Sequence, residues 1–543
     1  MTIEPPTREQ IARLQTLSPF ELKAELGMLA GEHERRTAFH MLNAGRGNPN
    51  FVATTPRAAF FTLGRFALEE CRRNREWDET LAGVPSETGI AERFNAWLES
   101  HAGEEGADML GRLLTYGVET CGFTPDAFVW ELADSVIGDH YPEPDRMLHH
   151  TEHIVHRYLV QEMGGPKGFD GTWDLFAVEG GTAAMCYVFD TLIKNRLIHR
   201  GDRIAIMAPV FTPYLEIPQL DEYAFDTLLL DAAVSGEDGM HLWQYSDDEI
   251  DKLRDPSIKA LFLVNPSNPP SVRIADETLA RIAQIVATDN PGLTVITDDV
   301  YGTFIDGFRS FMAEVPRNTI GVYSFSKYFG ATGWRLGVIA VGRDNIFDER
   351  LAALPADDKQ ALVARYGTLT LEPEKIRFVD RLVADSRSVA LNHTAGLSLP
   401  QQCQMLLFAA FCLLDDEDRY KSLAQGLIRG RLDRLIRGMD VVLAEDPLRV
   451  GYYIELDLLL WAEKQFGTDF AGWMRQRYEP TDILFRLAEQ TGIVALNGGG
   501  FAGPPWSIRI SIANLEDEQY DQIGASLRAV GEQYVEEWRA EAG

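Results

Sequence analysis

Short apolar runs of strand length recur through the middle of the chain, at Trp173–Val178, Arg203–Ala208, Phe225–Leu230, Lys259–Val264, Leu293–Thr297, Thr319–Tyr323 and Leu336–Val341. Between several of them the apolar spacing becomes helical, as at Gly181–Asn195 and Asp276–Ala287. Such alternation predicts an α/β fold with a mainly parallel, seven-stranded sheet covered by helices on both faces. In that architecture ligands bind in the crevice at the carboxyl ends of the strands. The first 150 residues read as mostly helical, with helices opening at Pro19-Phe20-Glu21-Leu22-Lys23 and spanning Arg57–Arg75 and Ile90–Leu114. A turn-rich segment, Gly45-Arg46-Gly47-Asn48-Pro49-Asn50, separates the first two. Residues 343–387 are charged and helical, and a smaller α+β segment with a strand at Ser507–Ser511 follows Gln425.

At 543 residues the chain is too long for one core, so two or more domains are expected. With 51 basic and 82 acidic residues the formal net charge is −31, which argues against nucleic-acid and anionic-membrane partners. Five scattered cysteines without a C-x-x-C pair fit a reducing compartment. The N-terminus is polar and contains Pro5 and Pro6, unlike a signal peptide, and the longest apolar run, Met405 to Leu414, is about half the length of a membrane span. A cytoplasmic protein is expected.

Four segments carry chemistry. Glu179-Gly180-Gly181-Thr182 follows a predicted strand and opens a helix, a place where backbone N–H groups and a hydroxyl cradle phosphate. Asn265-Pro266-Ser267-Asn268-Pro269-Pro270 ends another strand in a proline-stiffened turn. Thr297-Asp298-Asp299-Val300-Tyr301 puts an aspartate at a strand end and a tyrosine three residues later. Ser324-Phe325-Ser326-Lys327 places a lysine between serines and Arg335. A lysine amine that condenses with an aldehyde, hydroxyls and a guanidinium for a dianionic phosphate, and an acid for a pyridine nitrogen are what pyridoxal phosphate requires. Read singly, each segment is more often a turn, a cap or a surface lysine.

Taken in order, G-G-T, N-P-x-N-P, D-x-x-Y, S-x-S-K with its arginine, and the C-terminal Arg509-Ile510-Ser511 resemble the aspartate aminotransferase superfamily of fold-type I pyridoxal-phosphate enzymes. The resemblance implies that Lys327 holds the cofactor and shuttles protons, that Asp298 pairs with the ring nitrogen, and that Asn268 and Tyr301 contact the ring oxygen. Gly181, Thr182, Ser324, Ser326 and Arg335 would form the phosphate cup. Phe211 would stack on the ring, Arg509 would clamp the substrate α-carboxylate, and Tyr141 would reach a neighbouring subunit's phosphate.

The helical stretch between Phe51 and Ile137, the helical insertion after Val341, Gly45–Phe51, Tyr141–Leu148 and Leu391-Asn392-His393-Thr394-Ala395-Gly396-Leu397-Ser398 extend the likeness to the aspartate 4-decarboxylase family over nearly the full length. That likeness implies β-decarboxylation of L-aspartate to L-alanine with side transaminase activity, and a homo-oligomer built from dimers, a dodecamer among the sizes it allows. Residues 1–150 would contribute to the small domain and the substrate entrance, 151–345 would bind the cofactor, 346–423 would be a helical insertion with the interdomain helix, and 424–543 the small α+β domain. Arg46, flanked by glycines, is a candidate for substrate-carboxylate recognition; a structural hinge arginine is the competing reading. The competing functions are an aspartate or broad-specificity aminotransferase and a non-catalytic cofactor-binding regulator, which the absence of a basic recognition helix disfavours.

His149, His150, His153 and His156 cluster, with His149 and His153 at i, i+4, but read as a polar helix face rather than a metal site. His33-Glu34 lacks the second histidine of a zincin. Gly498-Gly499-Gly500 lacks the strand–turn–helix setting of a dinucleotide site and reads as a flexible loop.

Overall fold

The computed structural model describes residues 6–36, 41–236, 239–387 and 394–542. The seven apolar runs form seven strands, β1 (Trp173–Val178), β2 (Arg203–Ala208), β3 (Asp226–Asp231), β4 (Ile258–Val264), β5 (Thr294–Asp298), β6 (Thr319–Ser324) and β7 (Gly337–Gly342). They make one sheet in the order β1-β7-β6-β5-β4-β2-β3. Every residue of β1, β5, β6 and β7 is buried, which accounts for runs that are apolar throughout rather than alternating. β2 pairs parallel with β3 and β4, whereas β7 runs antiparallel to both β1 and β6.

The chain divides into two compact units, Met1–Phe51 with Gly201–Val295 and Leu423–Gly543, and Val52–Arg200 with Ile296–Ser422. In the first, β8 (Tyr453–Asp457), β9 (Leu496–Asn497) and β10 (Ser507–Ser511) form a small sheet in the order β8-β10-β9. Both β8 and β9 run antiparallel to β10. Leu42–Asn43 pairs parallel with Ile493–Val494 in the same unit. The Gly45–Asn50 turn is bound to the C-terminal strand region: Ser511 N–H donates to Ala44 O at 2.8 Å, and Asn50 N–H to Ala513 O at 2.9 Å. No helix among the described residues is long and apolar enough to cross a membrane.

Two expectations differ from the structure. The stretch Ile90–Leu114, read as one helix, is two, Ile90–Ser100 and Ala107–Thr115. The break is enforced at Gly106, whose φ is +84° and where an added Cβ would lie 2.3 Å from Ala59 N. The Gly498–Gly500 segment is not a flexible loop but a 3₁₀ turn, Gly498–Phe501, capped by Asn497 Oδ1, with Gly498 and Phe501 buried.

Gly106→Ala forces an L side chain into left-handed backbone against the Thr55–Asn74 helix. We expect it to lower the free energy of unfolding by more than about 1 kcal/mol, read as a lower midpoint in urea denaturation.

Candidate active site

Each unit carries its own half of the sequence-predicted site. In the second unit the residues expected to form a phosphate cup lie at a helix start, at the end of β6 and in the turn after it. Gly181 is the first residue of the helix Gly181–Lys194, whose N-terminal N–H groups have no intrahelical acceptors. Gly180 precedes it with φ +92°, and an added Cβ there would stand 2.6 Å from the Arg335 guanidinium. Arg335, itself at φ +56°, donates to Glu179 O at 3.2 Å and to Thr332 O at 3.1 Å. The turn is fixed further through the Glu179 carboxylate, which accepts from Tyr187 Oη at 3.0 Å and from Arg387 at 3.2 Å. Arg387 also donates to Thr394 O and Gly396 O; Leu391, Asn392 and His393 of that motif lie outside the described residues. Thr182 is exposed, Ser324 and Ser326 are buried, and the Ser324 hydroxyl donates to Ser326 Oγ at 2.9 Å.

β6 ends at Ser324, and Lys327 follows it half-buried. Asp298 ends β5, and Tyr301, 2% exposed, lies in the turn beyond. The structure separates the two adjacent aspartates. Both oxygens of Asp299 are engaged by hydroxyls, Thr297 on Oδ1 and Ser310 on Oδ2, and burial pushes its carboxyl up to about 7. Asp298 accepts from Val300 N–H at 3.2 Å. Tyr141 is 63% exposed, as suits a group directed away from its own chain's core. The histidines of the helix His149–Met163 diverge: His150 pairs with Glu131, His153 packs edge-on to Phe123, and His156 accepts from Trp173 N–H.

The first unit holds Arg509, Asn268, Phe211 and Arg46. Arg509, on β10, is 1% exposed. It donates to Asn268 Oδ1 at 3.0 Å and to Gly45 O at 3.1 Å, and its guanidinium lies 4.2 Å from the Tyr453 ring centre and 5.1 Å from that of Phe501. Its Nε is buried without a partner among the described residues. Two X-Pro bonds of the turn that presents Asn268, Asn265-Pro266 and Asn268-Pro269, are cis. Phe211 stands edge-on to Phe20 and Tyr214, in a loop bound to the 3₁₀ turn by Val210 N–H to Phe501 O and by the Thr212 hydroxyl to Gly500 O. Arg46 is exposed.

Sequence reasoning missed Lys23. It is half-buried, 5.5 Å from the Phe20 ring centre, and burial, then the Arg509 and Arg46 charges, hold its ammonium below the ordinary lysine range. Its only signal was a basic residue early in a helix, too common a pattern to single out.

These donors suit pyridoxal phosphate. A left-handed glycine that leaves room for a guanidinium, helix N–H groups and two buried hydroxyls form an anion cradle. A buried acid at the end of β5 suits a pyridinium, and an incompletely bonded buried guanidinium suits a carboxylate.

The model of the aminotransferase class I and II family matches residues 176–527. This chain belongs to that family. As an aminotransferase-family member it is a pyridoxal-phosphate-dependent enzyme. It is 48% identical, over 97% of its length and 98% of the relative's, to a protein from Pseudomonas sp. named bifunctional aspartate aminotransferase and L-aspartate beta-decarboxylase. The fold is shared with a Thermus thermophilus aspartate aminotransferase double mutant (TM-score 0.54, 16% identity, 97% of this chain and 100% of that one). It is also shared with N-succinyldiaminopimelate aminotransferase from Mycobacterium tuberculosis (TM-score 0.54, 17% identity, 98% and 100%).

A Cβ at residue 180 would displace the Arg335 guanidinium. Gly180→Ala is therefore expected to weaken retention of pyridoxal phosphate by about tenfold, the loss of roughly one charge-assisted hydrogen bond, measured by equilibrium dialysis with cofactor absorbance.

Proposed function

We propose that the protein removes the β-carboxylate of L-aspartate to give L-alanine and CO2, with aspartate transamination as a side activity. The observation that carries the reading is the near-full-length likeness to the bifunctional Pseudomonas protein. The gathering of Lys23, Arg46 and Arg509 in one unit supports it, because a substrate with two carboxylates calls for more than one cation.

Pyridoxal phosphate, when bound, supplies the electron sink for carbanion chemistry. Lys327 would anchor it and move the proton at the substrate Cα, removing it and later returning it. Asp298 would keep the ring nitrogen protonated. Asn268, whose Oδ1 is committed to Arg509, has its amide N–H groups to offer the ring oxygen, together with Tyr301. Gly181, Thr182, Ser324, Ser326 and Arg335 would hold the phosphate, with Tyr141 reaching that of a neighbouring subunit, and Phe211 would lie against the ring. Arg509 would bind the α-carboxylate and fix the Cα–H bond. In the overall reaction the Cβ–carboxylate bond breaks, CO2 leaves and one proton is added at Cβ. A rigid salt bridge on the departing carboxylate would oppose this loss of charge, so an exposed, turn-borne Arg46 suits a site that must bind that group and then release it. Exclusion of water during this step favours alanine over hydrolytic release of a keto acid. The same reading includes a cytoplasmic homo-oligomer built from dimers, with residues 151–345 as the cofactor-binding domain.

The test is product analysis with cofactor and L-aspartate and no added keto acid. Sustained, equimolar alanine and CO2 is the expected result. One turnover to oxaloacetate followed by a stall would make the protein an aminotransferase alone. Arg46→Ala should reduce kcat/KM for aspartate by about tenfold or more, the worth of one charged contact, while leaving cofactor retention intact. Unchanged kinetics would make Arg46 a hinge residue.

A further inference from the structure

The face of the small sheet that bears Arg509 carries a second buried ionisable group that the proposed function leaves unused. Directly opposed residues of an antiparallel pair share a face, and the register sets Glu455 of β8 opposite Arg509 of β10. Glu455 is 4% exposed and Arg509 1%. Among the described residues Arg509 is held by Asn268 Oδ1, Gly45 O and two aromatic rings, and by no carboxylate. Each member of the cross-strand pair keeps one buried atom without a partner, Oε2 of Glu455 and Nε of Arg509.

The Ser507 hydroxyl donates to Glu455 Oε1 at 2.7 Å, while Pro504 O, 2.8 Å from the same hydroxyl oxygen, accepts from Ser507 N–H at 3.0 Å. Burial pushes the carboxyl up to about 8 against the Ser507 hydrogen bond, with Asp457 adding to the rise and Arg509 opposing it. Two glycines leave room for the same pair: a Cβ at Gly498, which opens the 3₁₀ turn, would meet Ser507 Oγ and stand 2.7 Å from Glu455 Oε1, and one at Gly503 would stand 2.3 Å from Glu455 Oε1.

We propose that Glu455 sets the hold of Arg509 on the substrate carboxylate: as the neutral acid it leaves the guanidinium to the substrate, and as the carboxylate it competes for it. The inference rests on the reading of Arg509 as the α-carboxylate's partner and makes Glu455 a positioning residue. Ionisation sends one proton to solvent. The route is a cavity of about 370 Å³ lined by Glu455, Asp457 and His241. The charged groups around Glu455 are Arg509 across the sheet, Asp457 two residues along its own strand, and His241, which pairs with Asp457 at 3.0 Å. Asp440, Glu445, Asp446, Arg449 and Lys464 line the same cavity, and Lys23 and Arg46 lie on the side of Arg509. The sign follows directly. Below about pH 8 Glu455 is neutral and Arg509 is available; above it the carboxylate forms and substrate binding must return a proton to it, so affinity falls as pH rises.

The experiment uses the full-length, cofactor-loaded enzyme. It measures KM for L-aspartate and the inhibition constant of succinate, a dicarboxylate without the reacting amine, from pH 6.5 to 9.5. The ratio of wild-type to Glu455→Gln inhibition constants is expected to rise roughly tenfold between pH 7 and pH 9. Removing the group that stabilises the carboxylate, Ser507→Ala should move the wild-type midpoint to higher pH. A ratio constant with pH overturns the proposal. If Glu455→Gln does not fold, Ser507→Ala decides it, and an unmoved midpoint overturns it equally. Arg509→Lys separates the two layers: unchanged succinate inhibition there overturns the reading of Arg509, whereas weakened inhibition with a flat Glu455 ratio overturns only the role of Glu455.

Discussion

A positive charge taken out of water must be solvated by the protein, and at Arg509 the exposure left to water is 1%. The chain meets this demand with neutral groups. An amide oxygen from residue 268, a backbone carbonyl from residue 45 and the faces of Tyr453 and Phe501 surround the guanidinium. These come from four separate stretches of sequence, so the turn after β4, the N-terminal turn, β8 and the 3₁₀ turn are all positioned by one side chain. A carboxylate at the same place would have stabilised the cation more cheaply and left nothing for a substrate. Neutral solvation keeps the charge strong towards an incoming anion.

The second unit prepares for an anion by different means. Its cup is built from backbone conformation: a left-handed glycine, a helix start and an arginine in the left-handed region whose side chain turns back to Glu179 O. Arg335 is exposed, so backbone geometry rather than burial of the charge sets its direction. The two strategies match the two tasks of the proposed function. A resident phosphate is retained by many shared donors, while a transient substrate is met by one concentrated charge.

The large sheet was legible because most of its strands are buried on both faces. Trp173–Val178 and Arg203–Ala208 were placed to the residue, and the other five runs to within one or two residues at their ends. The turns that carry the motif residues were legible for a related reason: turns at strand ends need glycine, proline and short polar residues in a fixed order. What escaped was set by tertiary contact. The break at Gly106 comes from the nearness of Ala59, which no local periodicity contains. Gly498–Gly500 looked mobile because glycine is the residue of mobile loops, whereas here Gly498 makes room for a carboxyl on another strand and Gly500 for Pro19. Lys23 and Glu455 were invisible because a single charged residue in an amphipathic helix or a short strand carries no pattern; only the fold brings each beside Arg509.

The parallel pairing of Leu42–Asn43 with Ile493–Val494 also bears on how the molecule is made. About 450 residues separate the partners, and at roughly 5–20 residues per second the ribosome needs on the order of tens of seconds to deliver the second after the first. Throughout that interval the N-terminal turn has neither the strand it pairs with nor the arginine that Gly45 will contact. Residues 42–45 are therefore among the last to reach their final bonding, and the surroundings of Arg509 are complete only when synthesis is nearly finished.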